Sequence, residues 1–250
     1  KLWTDHLRHE WQETIALNQP GTAPEDNIEL DAMVFANLKG ESCVYSWRKR
    51  PDRKVSKPED SVIQLVNLKS CYKPFIIFPP ENNLKLFSPD AIVEGQHFPW
   101  WNHWPAAQIP NDGRRTQIPD RPSHSSLSQS LEDSDAIKQT SENTFEAVTL
   151  TGMTNQGVEG LVPLAKSWNN PPVIGQLSDG FKNEGYSRKQ RAYIIQSLKE
   201  SQTSTLEFTL AANKDRPVFN PAFLIRGWGA EEAVVHCNGK KLGSSVLRTG

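Results

Sequence analysis

Little in this chain of 250 residues can be spent on disulfide or metal chemistry. It holds three cysteines, Cys43, Cys71 and Cys237, at no spacing that suits a metal set. An odd count leaves at least one thiol without an intramolecular partner, and buried free thiols are the expectation for most of them. Charge of one sign is not in excess: 28 basic residues face 29 acidic ones, for a formal net charge of −1 and an isoelectric point near 6.7. That balance removes the electrostatic footprint of a general nucleic-acid binder, so no nucleic acid is expected as a partner. Long hydrophobic runs are missing as well. Stretches such as Phe75-Ile76-Ile77-Phe78 fall far short of a bilayer, and the mean hydropathy is −0.59, so no membrane span is expected. The glycine pattern of a phosphate loop and the nucleophile elbow of a serine hydrolase are both lacking. Acidic residues are plentiful, but no spacing sets two of them in an identifiable cleft for glycoside hydrolysis. Asp, Asn and His in the loops form no ligand series, so neither metal nor cofactor is expected. The chain opens on Lys1-Leu2-Trp3 with no leader pattern and stops soon after Asn238-Gly239, and the expectation is a piece of a longer polypeptide.

What the chain does have is strand signal. Ala32 to Leu38 and Cys43 to Trp47 flank Lys39-Gly40 as a hairpin with a short polar turn. Val62 to Leu68, Phe75 to Phe78, Leu84 to Phe87, Phe145 to Leu150, Ala192 to Gln196, Leu206 to Leu210 and Phe223 to Ile225 are short apolar or alternating bursts bounded by Pro, Gly, Asn and Ser. Val234 to Cys237 enters an Asn-Gly turn. Helix candidates are two. Trp3, Leu7, Trp11 and Ile15 recur at four-residue spacing, although Trp11 to Leu17 also suits a strand. Val158 to Trp168 is the other, with Pro163 tolerable only near its first turn. The expected fold is therefore all-β: one antiparallel sandwich over residues 1–250, plain, supersandwich or jelly-roll-like, with one or two short helices. Pro119 to Asn143 is Ser-rich and acidic and reads as a long loop, placed to cover what precedes it.

What precedes it is Phe98-Pro99-Trp100-Trp101-Asn102-His103-Trp104-Pro105, three of the eight tryptophans within five residues between prolines. Indole offers a rigid apolar face and one N–H donor, so such a cluster either pins a loop to a core or forms a platform for a ligand. Sugar rings suit the platform: their C–H faces stack on indole, and Asn102 and Gln108 are placed to bond their hydroxyls. Arg114, Arg115 and Arg121 follow. A planar guanidinium fork fits a carboxylate bidentately, which points to an acidic sugar. The plainer alternative is that the tryptophans pack a core and the arginines pair with Asp112 and Asp120.

Together with Asp31 to Gly40, Gly185-Tyr186-Ser187-Arg188-Lys189-Gln190-Arg191-Ala192-Tyr193 and Asn220-Pro221-Ala222-Phe223, the run Phe98 to Pro110 with Asp112-Gly113-Arg114 resembles the β-sandwich portion of large bacterial polysaccharide-degrading proteins. The resemblance is to ulvan-lyase-like and related uronate-active lyases. It implies a secreted or periplasmic protein acting on uronic-acid-containing polysaccharide, alongside other domains of the same polypeptide. In such lyases the cleft often lies between a helical toroid and the sandwich, and this chain has no toroid. β-Elimination needs a neutraliser for the uronate carboxylate, a base for the C5 proton and an acid for the leaving oxygen. Arg114, Arg115 or Arg121 are candidates for the first, His103 or His124 for the second, and Tyr186 or Tyr193 for the third. Trp100, Trp101, Asn102, Trp104, Gln108, Arg115 and Arg121 are the expected substrate contacts. A non-catalytic carbohydrate-binding or structural module is the alternative, and it needs only the tryptophans and their polar ring.

Overall fold

A computed structural model describes residues 2–3, 12–20, 28–45, 58, 60–80, 122–130, 138–141, 144–146, 148–198, 205–229, 233–243 and 245. Strands are the dominant element among the described residues, and the fold is all-β and sandwich-like. Two compact units are described, each by itself: Lys1–Pro171 with Asn213–Phe219, and Pro172–Ala212 with Asn220–Gly250.

The first unit is organised by five antiparallel strands, β3 (Ile28–Asn37), β4 (Ser42–Tyr45), β5 (Ser61–Leu68), β6 (Lys73–Ile77) and β10 (Leu150–Thr154), in the order β10-β6-β5-β3-β4. The hairpin expected around Lys39-Gly40 is β3–β4. Asn37 holds its turn: its Oδ1 accepts from the amides of Lys39 (3.0 Å) and Glu41 (3.1 Å), and its Nδ2 donates to the Glu41 carboxylate at 2.6 Å. Gly40 supplies the left-handed residue such a turn requires, at φ 89°. In the centre, Ser61 to Val66 are buried one after another, as expected of a strand covered on both faces. The register aligns Ala36, Ile63 and Ile77 across three strands, and Val34, Leu65 and Phe75 beside them. Gly152 lies opposite Phe75, and a Cβ there would come within 2.8 Å of the Phe75 ring. The glycine is thus required by the ring that lies over it. Gly152→Val is expected to cost about 1–3 kcal/mol through displacement of Phe75, read as a lower urea midpoint; an unchanged midpoint would mean the ring moves freely.

One helix, α1 (Val158–Asn169), is described, and it packs against β3 and β5. Its sequence is a poor helix: Gly157 at the N-cap makes no side-chain cap, Gly160 and Pro163 lie inside, and Pro163 falls in the second turn, past the tolerant first turn. Burial of Leu161, Leu164, Ala165 and Trp168 on one face stabilises it instead. At its end the buried Asn169 donates to the Phe78 carbonyl at 3.1 Å, tying the helix to the chain leaving β6. Lys166 reaches the Lys214 carbonyl at 3.2 Å and the Asp215 carboxylate at 3.7 Å, holding the Asn213–Phe219 strap.

Two further sheets belong to this unit. β1 (Leu2–Trp3), β9 (Thr144–Glu146) and β8 (Lys138–Ser141) form one, in the order β1-β9-β8. β2 (Gln12–Pro20) and β7 (Pro122–Ser130) form a nine-residue antiparallel ribbon. The region from Gln12 to Pro20 is therefore strand and not helix, and the expected loop over Pro119 to Asn143 contains the strands β7 and β8. Serine side chains gave no apolar pattern there, whereas main-chain pairing with β2 needs none.

The second unit is smaller. β12 (Phe181–Ser187), β13 (Ala192–Ser197) and β15 (Phe223–Arg226) form a three-stranded sheet, with β13 and β15 parallel. β11 (Val173–Gly175) pairs with β14 (Thr209–Ala211). The hairpin β16 (His236–Cys237) and β17 (Lys240–Lys241) closes on Asn238 and Gly239, both at positive φ, as the Asn-Gly signal predicts. The described residues form no disulfide; Cys43 is half-buried, and Cys71 and Cys237 are exposed rather than buried as expected.

Candidate functional site

The most developed cluster of chemically useful side chains among the described residues lies on the β12–β13–β15 sheet. Glu184 forms a bulge between Asn183 and Gly185, fixed by the Gly185 amide donating to Asn183 Oδ1 at 2.9 Å, with Gly185 at φ 95°. On the turn side of this bulge the register sets Tyr186 opposite Tyr193, and the parallel pairing of β13 with β15 sets Tyr193 beside Phe223. The rings follow that register. Tyr186 meets Tyr193 edge-on at 5.0 Å between centroids, Tyr193 stacks on Phe223 at 5.4 Å, and Phe208 tilts against Phe223 at 4.9 Å. Tyr193 is the buried centre of the row. Tyr186 is half-buried, and Phe223 is 36% exposed.

Beyond Tyr186 the chain turns through Arg188, Lys189, Gln190 and Arg191 before entering β13. The Gln190 amide donates to Ser187 Oγ at 3.3 Å and the Arg191 amide to the Arg188 carbonyl at 3.3 Å. Glu184 is engaged elsewhere, with Arg226 at 3.3 Å and Lys182 at 3.7 Å. Burial raises the Tyr186 phenol above its usual range, while the cations of Arg191 and Arg188 pull the other way. Burial pushes the Tyr193 phenol up to about 12, with the neighbouring Tyr186 adding to the rise. Both phenols are neutral hydrogen-bond donors near neutral pH.

Tyr193, the candidate acid, donates its hydroxyl to the Pro172 carbonyl at 2.7 Å. Proton transfer from it would first require release of that buried bond. Of the other site residues expected from the sequence, His124 lies on β7 in register with Asn18. Trp100, Trp101, Asn102, His103, Trp104, Gln108, Arg114, Arg115 and Arg121 lie outside the described residues, as does the expected strand Leu84 to Phe87. Phe208 and Phe223 were not singled out as site residues. The available signal was two tyrosines flanking an Arg-Lys-Gln-Arg turn, which places both on one sheet face once the length of the turn is known. Among the described residues no group of His, Cys, Asp or Glu is placed to hold a metal ion, and no helix is long and apolar enough to cross a membrane. No protein-family model, curated protein or solved structure matches the chain.

Proposed function

We propose that this chain recognises acidic, uronic-acid-containing polysaccharide and takes part in its degradation. The observation that carries this reading is the density of Trp100, Trp101 and Trp104 between prolines, followed at once by Arg114, Arg115 and Arg121. Indole faces supply sugar stacking and guanidinium forks supply carboxylate recognition. A binding module is favoured over an eliminating enzyme by the state of Tyr193, whose proton is held both by a structural bond and by a raised pKa. The lyase reading retains Arg114 as neutraliser, His103 or His124 as base and Tyr186 as acid. Polysaccharide of this kind lies outside cells, so a protein with this role is secreted or periplasmic and works with other domains of the same bacterial polypeptide.

Titration with an oligogalacturonate tests it, beside an absorbance assay for unsaturated uronate. Neighbouring positions in an extended segment alternate faces, so the three tryptophans divide between anchoring and contact. Alanine at the contact position is expected to lower affinity about tenfold at an unchanged melting temperature, while alanine at an anchor lowers the melting temperature. Arg114→Lys or Arg121→Lys is expected to weaken binding although charge is kept, because an ammonium lacks the planar fork. Equal loss of stability at all three tryptophans, with no loss of affinity in either arginine variant, would remove the basis for the reading.

A further inference from the structure

The turn joining β12 to β13 carries Arg188, Lys189 and Arg191 within four residues, in a chain whose formal net charge is −1. Cations gathered in this way are a local feature and not the overflow of a basic protein. Arg191 adopts φ 51°, the left-handed region that glycine or asparagine occupies at less cost. A strained position of this kind costs of order 1 kcal/mol, and such strain clusters where a side chain is needed. What the Arg191 guanidinium does for the fold is not apparent, since its side chain makes no hydrogen bond or ion pair among the described residues. Next to it stands Tyr186, half-buried, its ring seated edge-on against Tyr193 and its phenol close enough to feel the charges of both Arg191 and Arg188. The combination is a rigid aromatic side chain with a neutral hydroxyl donor beside guanidinium forks. The nearest strand carboxylate, Glu184, is committed to Arg226 and Lys182.

We propose that the β12–β13 turn is a second anion-binding site, in which Arg191 grips a carboxylate or sulfate of an acidic saccharide whose ring lies against Tyr186. Guanidinium groups fit both anions bidentately, and the phenol donates to an adjacent oxygen. The saccharide part rests on the function proposed above; the anion part rests on the turn alone.

The decisive variant is Arg191→Gly. It removes the fork while supplying the residue best suited to φ 51°, so the melting temperature is expected to hold or rise. Wild type, Arg191→Gly, Trp100→Ala and Lys39→Gln are titrated with oligogalacturonate, with dextran sulfate and with uncharged dextran. Lys39 lies in the β3–β4 turn and serves as a charge-matched control. The expected result is at least about a tenfold loss of affinity for oligogalacturonate or dextran sulfate in Arg191→Gly, at an unchanged melting temperature, with Lys39→Gln near wild type. Which of the two ligands shows the loss identifies the anion as carboxylate or sulfate. An equal loss in Lys39→Gln would overturn the site in favour of diffuse attraction. Unchanged binding in Arg191→Gly with loss in Trp100→Ala would overturn the turn site and leave the proposed function standing. Absence of oligogalacturonate binding by wild type would overturn the proposed function, while Arg191-dependent binding of dextran sulfate would still uphold the anion site; absence of both would overturn the two together.

Discussion

Trp168→Ala is expected to lower the free energy of unfolding of the first unit by about 3–5 kcal/mol. The indole is 1% exposed and is the largest of the fully buried side chains. Its helix has little of its own to fall back on. Pro163 removes one main-chain bond, Gly160 weakens the first half, and the N-cap Gly157 offers no side chain, so α1 is held by what it buries. Loss of the indole leaves a cavity and also weakens the hold on Asn169, one residue on, whose amide reaches the Phe78 carbonyl. Urea unfolding of Trp168→Ala and Trp168→Phe measures this, with the phenylalanine variant intermediate. A loss below about 1 kcal/mol in the alanine variant would mean that the helix is anchored elsewhere.

In the second unit the corresponding position is Tyr193. Tyr193→Ala is expected to cost about 3–5 kcal/mol, because it removes the ring between Tyr186 and Phe223 together with the donor to Pro172. Tyr193→Phe separates the two contributions: the ring stays, the Pro172 carbonyl loses its partner, and the expected loss is about 1–3 kcal/mol. Alkaline pH provides an independent reading. The phenol ionises near 10 in the unfolded chain and about 12 in the folded one, so the stability it contributes is fully present below pH 10 and is lost as pH rises through 12. Tyr193→Phe is expected to flatten that part of the pH profile. A profile identical to wild type would show that the hydroxyl contributes nothing there.

Which parts of this fold could be read from the sequence follows from what side chains report. β5, β6 and the β3–β4 hairpin are apolar runs ended by Gly, Ser or Asn, and their burial in the structure is what that pattern encodes. α1 was legible for the same reason, since Leu161, Leu164, Ala165 and Trp168 recur at helical spacing. The spacing of Trp3, Leu7, Trp11 and Ile15 left helix and strand open, because Ile15 and Leu17 alternate equally well, and the nine-residue pairing with β7 decided for strand. β7 was invisible: Pro122-Ser-His-Ser-Ser-Leu-Ser-Gln-Ser has one apolar residue, and its strand is specified by main-chain bonds. Phe145 to Leu150, expected as one strand, splits into the end of β9 and the start of β10, which pair with different partners. For the site, Tyr193 was visible as a residue, but its commitment to Pro172 depends on a carbonyl twenty-one positions away, and the Tyr186 alignment depends on the length of the turn from Arg188 to Arg191, which no pattern of residue types announced.

The pairing of β2 with β7 also bears on how the chain reaches its native state. β3 with β4 and β5 with β6 are joined by short connections, so these pairings close small loops at little entropic cost. The β2–β7 ribbon joins Pro20 to Pro122 across about a hundred residues and has few apolar side chains to drive the encounter. Its closure therefore comes late, after the meander has shortened the effective distance between its ends. Strands β3 to β6 then lie in the chain between two ends that meet in one zipper, and unzipping from the Gln12–Ser130 end would part those ends while the pairings of β3 to β6 with one another stayed closed.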